Sequence, residues 1–413
     1  MPRLPLEPIV PPVPGLGEIV RAFTPVNIVN AIVAFLFAAS APVAIILAAG
    51  AKGSLSQADL ASWIFAAFTV NSAVTLGLSI LYRTPLAFFW TIPGAVLAGD
   101  ALTHLSFAEV IGAYLATGVL LLVLGLTGWV RAVMARIPMP IIMGMVAGVF
   151  LKFGLAWIAA FREDLAIAAV MTLAFALASA TPAIEKRVPP MIAVLVVGCL
   201  ALVLLGKSPA LPEAMSVSDM VARPNLYVPA FSLRAMTELV IPLAITVLAA
   251  QNAQGIAILS ARGHTPPVNA ITAACGAASL VTALFGCVST CLTGPCNAIL
   301  TATGERATHY ASAILLVFIS VLFGLFAPLF TAMMLATPPA FIATLAGIAL
   351  LKVLQSAFQI SFMTKYTLGA LIAFMVTLAD FPILGIGAAF WGLVFGIATS
   401  LVLEREDFAV ART

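Results

Sequence analysis

The stretch FFWTIPGAVLAGD, residues 88–100, decides how this chain folds. It lies among long apolar segments, yet Pro93 and Gly94 interrupt it and Asp100 ends it. A helix needs about 20 apolar residues to cross a bilayer, and a proline in its interior removes a backbone hydrogen bond. The part of the stretch that suits a helix is about half that length, so it cannot be an ordinary spanning helix.

The composition indicates the class of protein. Of the 413 residues, 63% are hydrophobic and only 8% are charged, which is too little charge for the surface of a soluble domain. We therefore expect an all-α polytopic membrane protein that lies in a lipid bilayer. The formal net charge of +3 reflects a bias of basic residues toward the cytoplasmic loops, and it indicates no nucleic-acid partner.

The hydropathy pattern predicts fourteen transmembrane segments, an even number that places both termini on one side. The loops of that side hold twelve Lys and Arg residues against five on the other, so both termini are expected in the cytoplasm. The proline-rich N-terminus does not resemble a cleaved signal peptide, and the expected location is a bacterial-type inner (plasma) membrane. The segments are 24–49, 57–81, 88–99, 108–130, 137–160, 164–181, 188–205, 235–260, 267–285, 293–303, 309–329, 331–352, 362–379 and 382–403.

The chain also contains an internal repeat. Three collinear matches occur at offsets of 202, 199 and 213 residues, which indicates a duplication into two units of seven segments. Because seven is odd, the two units enter the membrane from opposite sides, so the repeat is inverted, as in many secondary transporters. The matches are TIPGAV at 91–96 with TGPCNA at 293–298, PIIMGMVAGVFL at 140–151 with PAFIATLAGIAL at 339–350, and, more loosely, APVAIILAAG at 41–50 with QGIAILSARG at 254–263.

The repeat explains the two short segments, 88–99 and 293–303, which are third in each half and both interrupted by proline. We predict that residues 86–90 and 288–292 are extended and antiparallel, and that each leads into a short half-helix. Half-helices that begin near Thr91 and Thr293 would direct their positive dipole ends at the membrane centre and favour an anion without a fixed cation. The alternative is that proline and glycine kink two continuous helices.

The motifs FFWTIPGAVLAG, AAQNAQGIAILSARGHTPP, GLFAPLF and PPAFIATLAGIALL resemble the benzoate:proton symporter (benzoate membrane transport protein) family over about residues 24–403. That family is similar in architecture to nucleobase permeases and sulfate-type anion transporters. The resemblance implies 7+7 inverted repeats divided into a core and a gate domain. The implied parts are 1–23 as a cytoplasmic N-terminal tail, 24–136 and 235–330 as core, 137–234 and 331–403 as gate, and 404–413 as a cytoplasmic tail.

One short stretch departs from the family pattern. Where the family reads approximately Gly-Gly-His-Ala-x-Asn-Leu-Ala-Ala, this chain has GCVSTCLTG at 286–294. Val288 thus replaces the histidine and Cys291 the asparagine. The resemblance implies that this half-helix touches the substrate, so the substrate is expected to be a small organic acid whose identity stays open.

The candidate substrate-binding residues come from three regions. The stretch LAAQNAQGIAIL, residues 248–259, carries three carboxamides in an apolar segment, with Gln251 and Gln254 spaced to share a helix face. These amides would contact substrate or, alternatively, join helices together. Phe89 and Trp90 would stack on an aromatic substrate or pack in the core. The full candidate set is Ser40, Phe89, Trp90, Thr91, Pro93, Gln251, Asn252, Gln254, Gly255, Thr290, Thr293 and Asn297.

Proton coupling requires a titratable group within the protein, and the chain offers few. The candidates are Glu238, near the outer end of segment eight, and Asp100, just beyond the first half-helix and followed by His104. Glu305 and His309 follow the second half-helix. Because each position suits a surface residue and no carboxylate is evident at the membrane centre, substrate and water could instead carry the proton.

The leading interpretation is a secondary transporter of a small organic anion, benzoate or a related aromatic carboxylate, that is coupled to protons by symport. The alternatives are an uncoupled anion channel or facilitator and a nucleobase-type permease for a neutral ring. A homodimer is compatible with each. The sequence has no cluster of acidic and histidine residues at the spacing of metal ligands, and it has no phosphate-binding loop. We therefore expect no enzyme, no cofactor and no metal. The cysteines lack CxxC spacing and suit apolar packing; they are Cys199, Cys275, Cys287, Cys291 and Cys296.

Overall fold

The computed structural model describes residues 5–39, 41–130, 138–180, 190–208, 216–302, 304–380, 383 and 388–409. These residues form two compact units. The first comprises residues 1–38, 49–135 and 214–331, and the second comprises residues 39–48, 136–213 and 332–413. Most of the described chain is helical.

The helices of the first half of the chain follow the predicted segments closely. Six helical runs in the described parts of the whole chain are long and apolar enough to span a membrane, and the shorter apolar helices include Ile92–Ala101 and Val268–Ala283. The elements up to residue 208 are α1 Leu16–Ala22, α2 Pro25–Ala39, α3 Ala41–Lys52, α4 Gln57–Phe65, α5 Asn71–Tyr82, β1 Phe88–Trp90, α6 Ile92–Ala101, α7 Phe107–Thr127, α8 Met139–Glu163, α9 Leu165–Ala180 and α10 Pro190–Leu204.

In the second half, one predicted boundary is wrong. Segment twelve was expected at 331–352, but a helix ends at Leu335 and the next begins at Pro339, because the Pro338-Pro339 pair favours a helix start. The remaining elements are α11 Val217–Met220, α12 Leu233–Ala235, α13 Ile241–Ile245, α14 Ala253–Ala261, α15 Val268–Ala283, β2 Thr290–Leu292, α16 Gly294–Leu300, α17 His309–Leu325, α18 Ala327–Leu335, α19 Pro339–Phe362, α20 Thr367–Ala379, α21 Ala388–Leu403 and α22 Arg405–Ala409.

Three π-helical segments interrupt helices of the first unit. Residues Ala66–Val70 join α4 to α5, and residues Met236–Val240 and Thr246–Asn252 join α12, α13 and α14 into one continuous run. We call this run, residues 233–261, the amide helix because it carries Gln251, Asn252 and Gln254. Single π-helical turns of this kind occur often at functional sites.

The centre of the first unit is a crossing of two short strands. β1 and β2 are antiparallel, with Phe88 opposite Leu292, Phe89 opposite Cys291 and Trp90 opposite Thr290. Beyond the strands, the Thr91 N–H donates to the Ser289 carbonyl and the Thr293 N–H donates to the Ala87 carbonyl, each over 3.0 Å. Each strand leads into a short helix, α6 or α16. The predicted extended crossing is therefore confirmed, and the alternative of two continuous kinked helices is wrong.

Side chains of neighbouring helices satisfy the outer edges of both strands. The Phe88 N–H donates to the Thr75 hydroxyl over 2.9 Å, and the Thr290 N–H donates to the Ser279 hydroxyl over 2.9 Å. Because lipid offers no hydrogen bonds, such partners are what allow extended backbone at this depth. The first unit therefore supplies short hydroxyl side chains where a wider sheet would supply another strand.

The N-terminal segment is ordered against the first unit. The Glu7 carboxylate accepts from the backbone N–H groups of Asn269 and Ala270 at the start of α15, with distances of 3.0 to 3.1 Å. Arg83, which follows α5, forms an ion pair with Glu18 of α1. We call residues 216–232, which precede the amide helix, the outer segment. It also joins this unit, since the Ala230 N–H donates to the Ala108 carbonyl over 2.9 Å.

Helices of the second unit pack closely where glycines face the backbone of a neighbouring helix. A Cβ at Gly347 would lie 2.7 Å from the carbonyl oxygen of Phe153, and one at Gly144 would lie 2.3 Å from that of Ala370. Glycine therefore permits the contacts of α8 with α19 and α20. Lys152 of α8 forms an ion pair with Asp380, the residue that follows α20.

Candidate functional site

The N-terminal end of α6 lies directly after the strand crossing. Thr91 caps the helix: its hydroxyl accepts from the Gly94 N–H over 3.2 Å and donates to the Thr246 hydroxyl over 3.0 Å. Pro93 has no N–H to offer. The positive end of α6 is therefore buried in the first unit beside the amide helix, although Thr91 already uses one of the donors that an anion could reach.

The three carboxamides of the amide helix occupy different environments. Gln251 is buried, 7% exposed, and its Oε1 atom has no hydrogen-bond partner among the described residues. Asn252 is buried, and its Oδ1 atom accepts from the Leu292 N–H of β2 over 2.7 Å. Gln254 is exposed, and a Cβ at Gly294 would lie 2.5 Å from its Oε1 atom.

The predicted shared face of Gln251 and Gln254 is thus not what the structure shows, since one side chain is buried and the other exposed. The prediction assumed 3.6 residues per turn, whereas a π-helical turn, Thr246–Asn252, ends between these residues and changes the rotation per residue. Gly255 lies against β2, because a Cβ there would come within 2.8 Å of the Leu292 side chain.

Several candidate residues hold the strand crossing together. The Asn297 Oδ1 atom accepts from the Ala87 N–H over 3.0 Å, and its Nδ2 atom donates to the Thr293 carbonyl over 2.8 Å. The Thr290 hydroxyl donates to Asn71 Oδ1 over 2.8 Å. The hydroxyls of Thr75, Thr246 and Ser279 were not predicted from the sequence. A short polar residue in an apolar segment is the only signal that could have identified them.

Phe89 and Trp90 belong to an aromatic cluster of the protein itself. The ring of Phe68 lies 5.4 Å from that of Phe89, 5.3 Å from that of Trp90 and 4.6 Å from that of Phe323. Trp90 is 2% exposed, and its Nε1–H has no partner among the described residues. Rings of the protein therefore contact both candidates, and stacking of a substrate on them stays a prediction. Ser40 lies outside the described residues.

The two proton-coupling candidates lie near the C-terminal end of α6. Asp100 forms an ion pair with Lys52. The Glu238 side chain is buried, 4% exposed, and both of its carboxylate oxygens lie 3.0 Å from His104 Nε2. The expectation that Glu238 is a surface residue is wrong, because it lies in the π-helical turn Met236–Val240 and pairs with His104.

A second histidine contact lies at the other end of the amide helix. His264 Nε2 lies 3.1 Å from His309 Nδ1, and both residues are buried. Burial, together with the neighbouring His309 and Arg306, lowers the pKa of His264 from 6.5 to about 4. The Arg306 guanidinium also donates to the Gly263 carbonyl over 2.8 Å. Within the described residues, no group of three or more His, Cys, Asp or Glu could hold a metal ion.

Comparison with known proteins decides the family. The benzoate membrane transport protein family matches residues 21–402, nearly the whole chain. The chain belongs to this family. The benzoate membrane transport protein of Acinetobacter baylyi is 30% identical over 385 residues, which cover 90% of this chain and 93% of that protein. The inner membrane protein YdcO of Escherichia coli is 30% identical over 395 residues, with 93% and 98% covered.

Solved structures with the same fold are anion transporters. The transmembrane domain of the cyanobacterial bicarbonate transporter BicA aligns with a TM-score of 0.58 at 15% identity and covers 90% of this chain and 97% of that one. SLC26A9 aligns with a TM-score of 0.61 at 12% identity and covers 91% of this chain and 65% of that one. As a member of the benzoate membrane transport family, the chain is a membrane transport protein and not an enzyme.

Proposed function

We propose that this protein is a secondary active transporter that moves a small organic anion, benzoate or a related aromatic carboxylate, across a bacterial inner membrane by proton symport and alternating access. The observation that carries the proposal is the buried Gln251 carboxamide, whose Oε1 atom has no hydrogen-bond partner among the described residues. It lies in the amide helix, which contacts the capped start of α6 through Thr246 and Thr91.

A packing role for Gln251 would supply its Oε1 atom with a partner, because a buried amide without one costs about 1–3 kcal/mol. A carboxamide presents one acceptor and two donors. A carboxylate substrate can accept from the two N–H donors, and Oε1 can accept from a donor that enters with the substrate. Gln251 is therefore suited to a substrate that binds as a carboxylate.

The electrostatics also favour an anion that is bound without a fixed cation. The segments 86–97, 239–261 and 288–302 contain no Lys or Arg. A carboxylate there would depend on hydroxyl and amide donors and on the positive end of α6, which is ten residues long. This set of donors tolerates a small aromatic acid because none of them demands a particular ring substituent.

We infer the 7+7 inverted repeat from the strand crossing. A shift of 202 residues, the offset of the TIPGAV match, exchanges Phe88 with Thr290 and Trp90 with Leu292 and so reproduces the observed register. An antiparallel pair of equivalent strands requires that the two halves run in opposite directions. This supports fourteen segments with both termini in the cytoplasm, a core formed by segments 1–4 and 8–11, and a gate formed by segments 5–7 and 12–14.

The test is uptake of radiolabelled benzoate by proteoliposomes, with and without a pH gradient that is alkaline inside. Accumulation above the external concentration that depends on the gradient supports symport. Equilibration without accumulation would instead indicate an uncoupled facilitator. Transport of uracil or another neutral ring, together with no transport of benzoate, would overturn the proposal in favour of a nucleobase-type permease. Protein-free liposomes correct for passive entry of benzoic acid.

A further inference from the structure

The contact between His104 and Glu238 has a hydrogen-bond pattern that accommodates an added proton. The Thr103 hydroxyl donates to the Asp100 carbonyl over 2.7 Å, and in this orientation its oxygen can accept from His104 Nδ1, which lies 3.1 Å away. On the other side of the ring, Nε2 faces the Glu238 carboxylate at 3.0 Å. With the hydroxyl in this orientation, both ring nitrogens face acceptors.

A neutral imidazole carries one N–H and can satisfy only one of these two contacts. If the hydrogen is on Nδ1, the lone pair of Nε2 faces the carboxylate of Glu238. If it is on Nε2, the Thr103 hydroxyl must turn away from the Asp100 carbonyl to donate to Nδ1. One more proton, held on His104 or shared with the carboxylate, satisfies both contacts and changes the net charge of the pair from −1 to zero.

Because the pair is largely buried, its net charge strongly affects its free energy. The Glu238 side chain is 4% exposed and the His104 side chain is 23% exposed, so the carboxylate is removed from water while the ring retains an edge for proton exchange. A buried carboxylate is costly unless it is paired. The other charged groups around the pair have partners of their own: Asp100 pairs with Lys52, and Glu109 of α7 caps its helix with Ser106 and lies near Arg234.

The pair is connected to the candidate substrate site by two elements. At the C-terminal end of α6, His104 binds Glu238 of the amide helix; at the N-terminal end, Thr91 binds Thr246 of the same helix. The two bonds are about 12 Å apart along the amide helix, from Glu238 to Thr246. Loss of the first bond frees one end of the contact between α6 and the helix that carries Gln251.

We propose that His104 and Glu238 form the proton-binding site of this transporter. The inference rests on the proposed function, because it assigns the coupling proton to these residues. The pair takes up one proton when the substrate carboxylate binds, and it releases that proton on the other side of the membrane. Release that leaves the remaining hydrogen on Nδ1 breaks the His104–Glu238 bond and so loosens the C-terminal end of α6 from the amide helix.

The experiment measures two activities of the full-length protein in proteoliposomes, with benzoate as the probe. Exchange of labelled for unlabelled benzoate at equal pH reports substrate binding and the conformational change, without net proton movement. Net uptake driven by a pH gradient, with a luminal pH dye, reports coupling. For one proton per substrate, a gradient of one pH unit supports about a tenfold accumulation.

Glu238→Gln should retain exchange within about twofold, because the amide still pairs with His104, while accumulation falls to about the external concentration and the dye signal disappears. His104→Gln should behave in the same way, and Glu238→Asp should restore part of the accumulation. Asp219→Asn, which changes an exposed carboxylate of the outer segment, is the matched control and should accumulate benzoate as the unsubstituted protein does.

If Glu238→Gln accumulates benzoate normally, or if the unsubstituted protein exchanges benzoate but ignores the pH gradient, the proton-site assignment is overturned and the transport proposal stands. If the unsubstituted protein neither exchanges nor accumulates benzoate, the proposed function fails, and the assignment fails with it. If Glu238→Gln loses exchange as well as accumulation while its thermal unfolding is unchanged, the pair serves binding rather than coupling, which also overturns the assignment.

Discussion

Phe89 pairs with Cys291 at the centre of the strand crossing, and the two residues are 202 positions apart, which is the offset of the internal repeat. A residue that pairs with its own repeat equivalent lies on a local two-fold axis. The hydrogen bonds on either side agree, because Thr91 to Ser289 and Thr293 to Ala87 exchange under the same shift. The side chains do not follow this symmetry, since a phenyl ring faces a thiol.

Removal of the Gln251 amide should weaken substrate binding and leave the fold intact. The Oε1 atom of Gln251 has no partner among the described residues, so Gln251→Ala leaves no other group of the protein without its hydrogen bond. A bound acid would lose a hydrogen-bond partner, which costs about 1–3 kcal/mol of binding free energy. Benzoate affinity in proteoliposomes measures the effect. Gln254→Ala is the control, and we expect a smaller loss because that side chain is exposed.

Equal losses of affinity in the two variants would contradict the separate roles assigned to Gln251 and Gln254. Unchanged affinity in both would assign the amides to helix packing, which is the alternative that the sequence left open.

Asn252 and Asn297 should affect stability more than transport specificity. Each amide oxygen accepts from a backbone N–H of the strand crossing, at Leu292 or Ala87, and alanine would leave that buried N–H without a partner. The expected loss is about 1–3 kcal/mol for each position. It is measured as a lower thermal unfolding midpoint in detergent. Asn252→Ser, which keeps an uncharged oxygen acceptor, should lose less than Asn252→Ala.

Much of this arrangement could be predicted from the sequence. The proline-broken segments at 88–99 and 293–303, and their repeat spacing, predict the crossing because a short segment cannot span a bilayer. The partners within the crossing could not be predicted. Whether Asn252 meets substrate or the Leu292 N–H depends on the π-helical turn before it, and apolar periodicity does not reveal that turn. The inward position of Glu238 depends on a second such turn.

The contact between His264 and His309 should make stability depend on pH below neutrality. Burial lowers the folded-state pKa of His264 to about 4, against an ordinary value of 6.5. Between these values His264 is protonated in the unfolded chain and neutral in the folded protein. The free energy of unfolding therefore decreases as the pH falls from 6.5 toward 4. Above pH 6.5 His264 is neutral in both states, and its protonation no longer lowers the free energy of unfolding.

Thermal unfolding of the detergent-solubilised protein between pH 4 and 7.5 measures this dependence. His264→Gln, which keeps a hydrogen-bonding side chain and does not titrate, should flatten the slope in that interval. A slope that is as steep in His264→Gln as in the unsubstituted protein would place the responsible group elsewhere.

A negative charge at the start of α6 should discriminate between anionic and neutral substrates. Ala95 lies in the first turn of α6 and is fully buried, so an added carboxylate would oppose a substrate carboxylate near the same helix end. Ala95→Asp should reduce benzoate transport far more than Ala95→Asn, which has nearly the same shape and no charge. Asn297, the corresponding position in α16, is unsuitable for this substitution because its side chain accepts a hydrogen bond from the Ala87 N–H.

Comparison of the two Ala95 variants at pH 5.5 and 8 separates the effect of charge from that of shape, since protonation of the aspartate at the lower pH should recover part of the activity. Equal losses in both variants at both values of pH would argue against an anionic substrate at this end of α6.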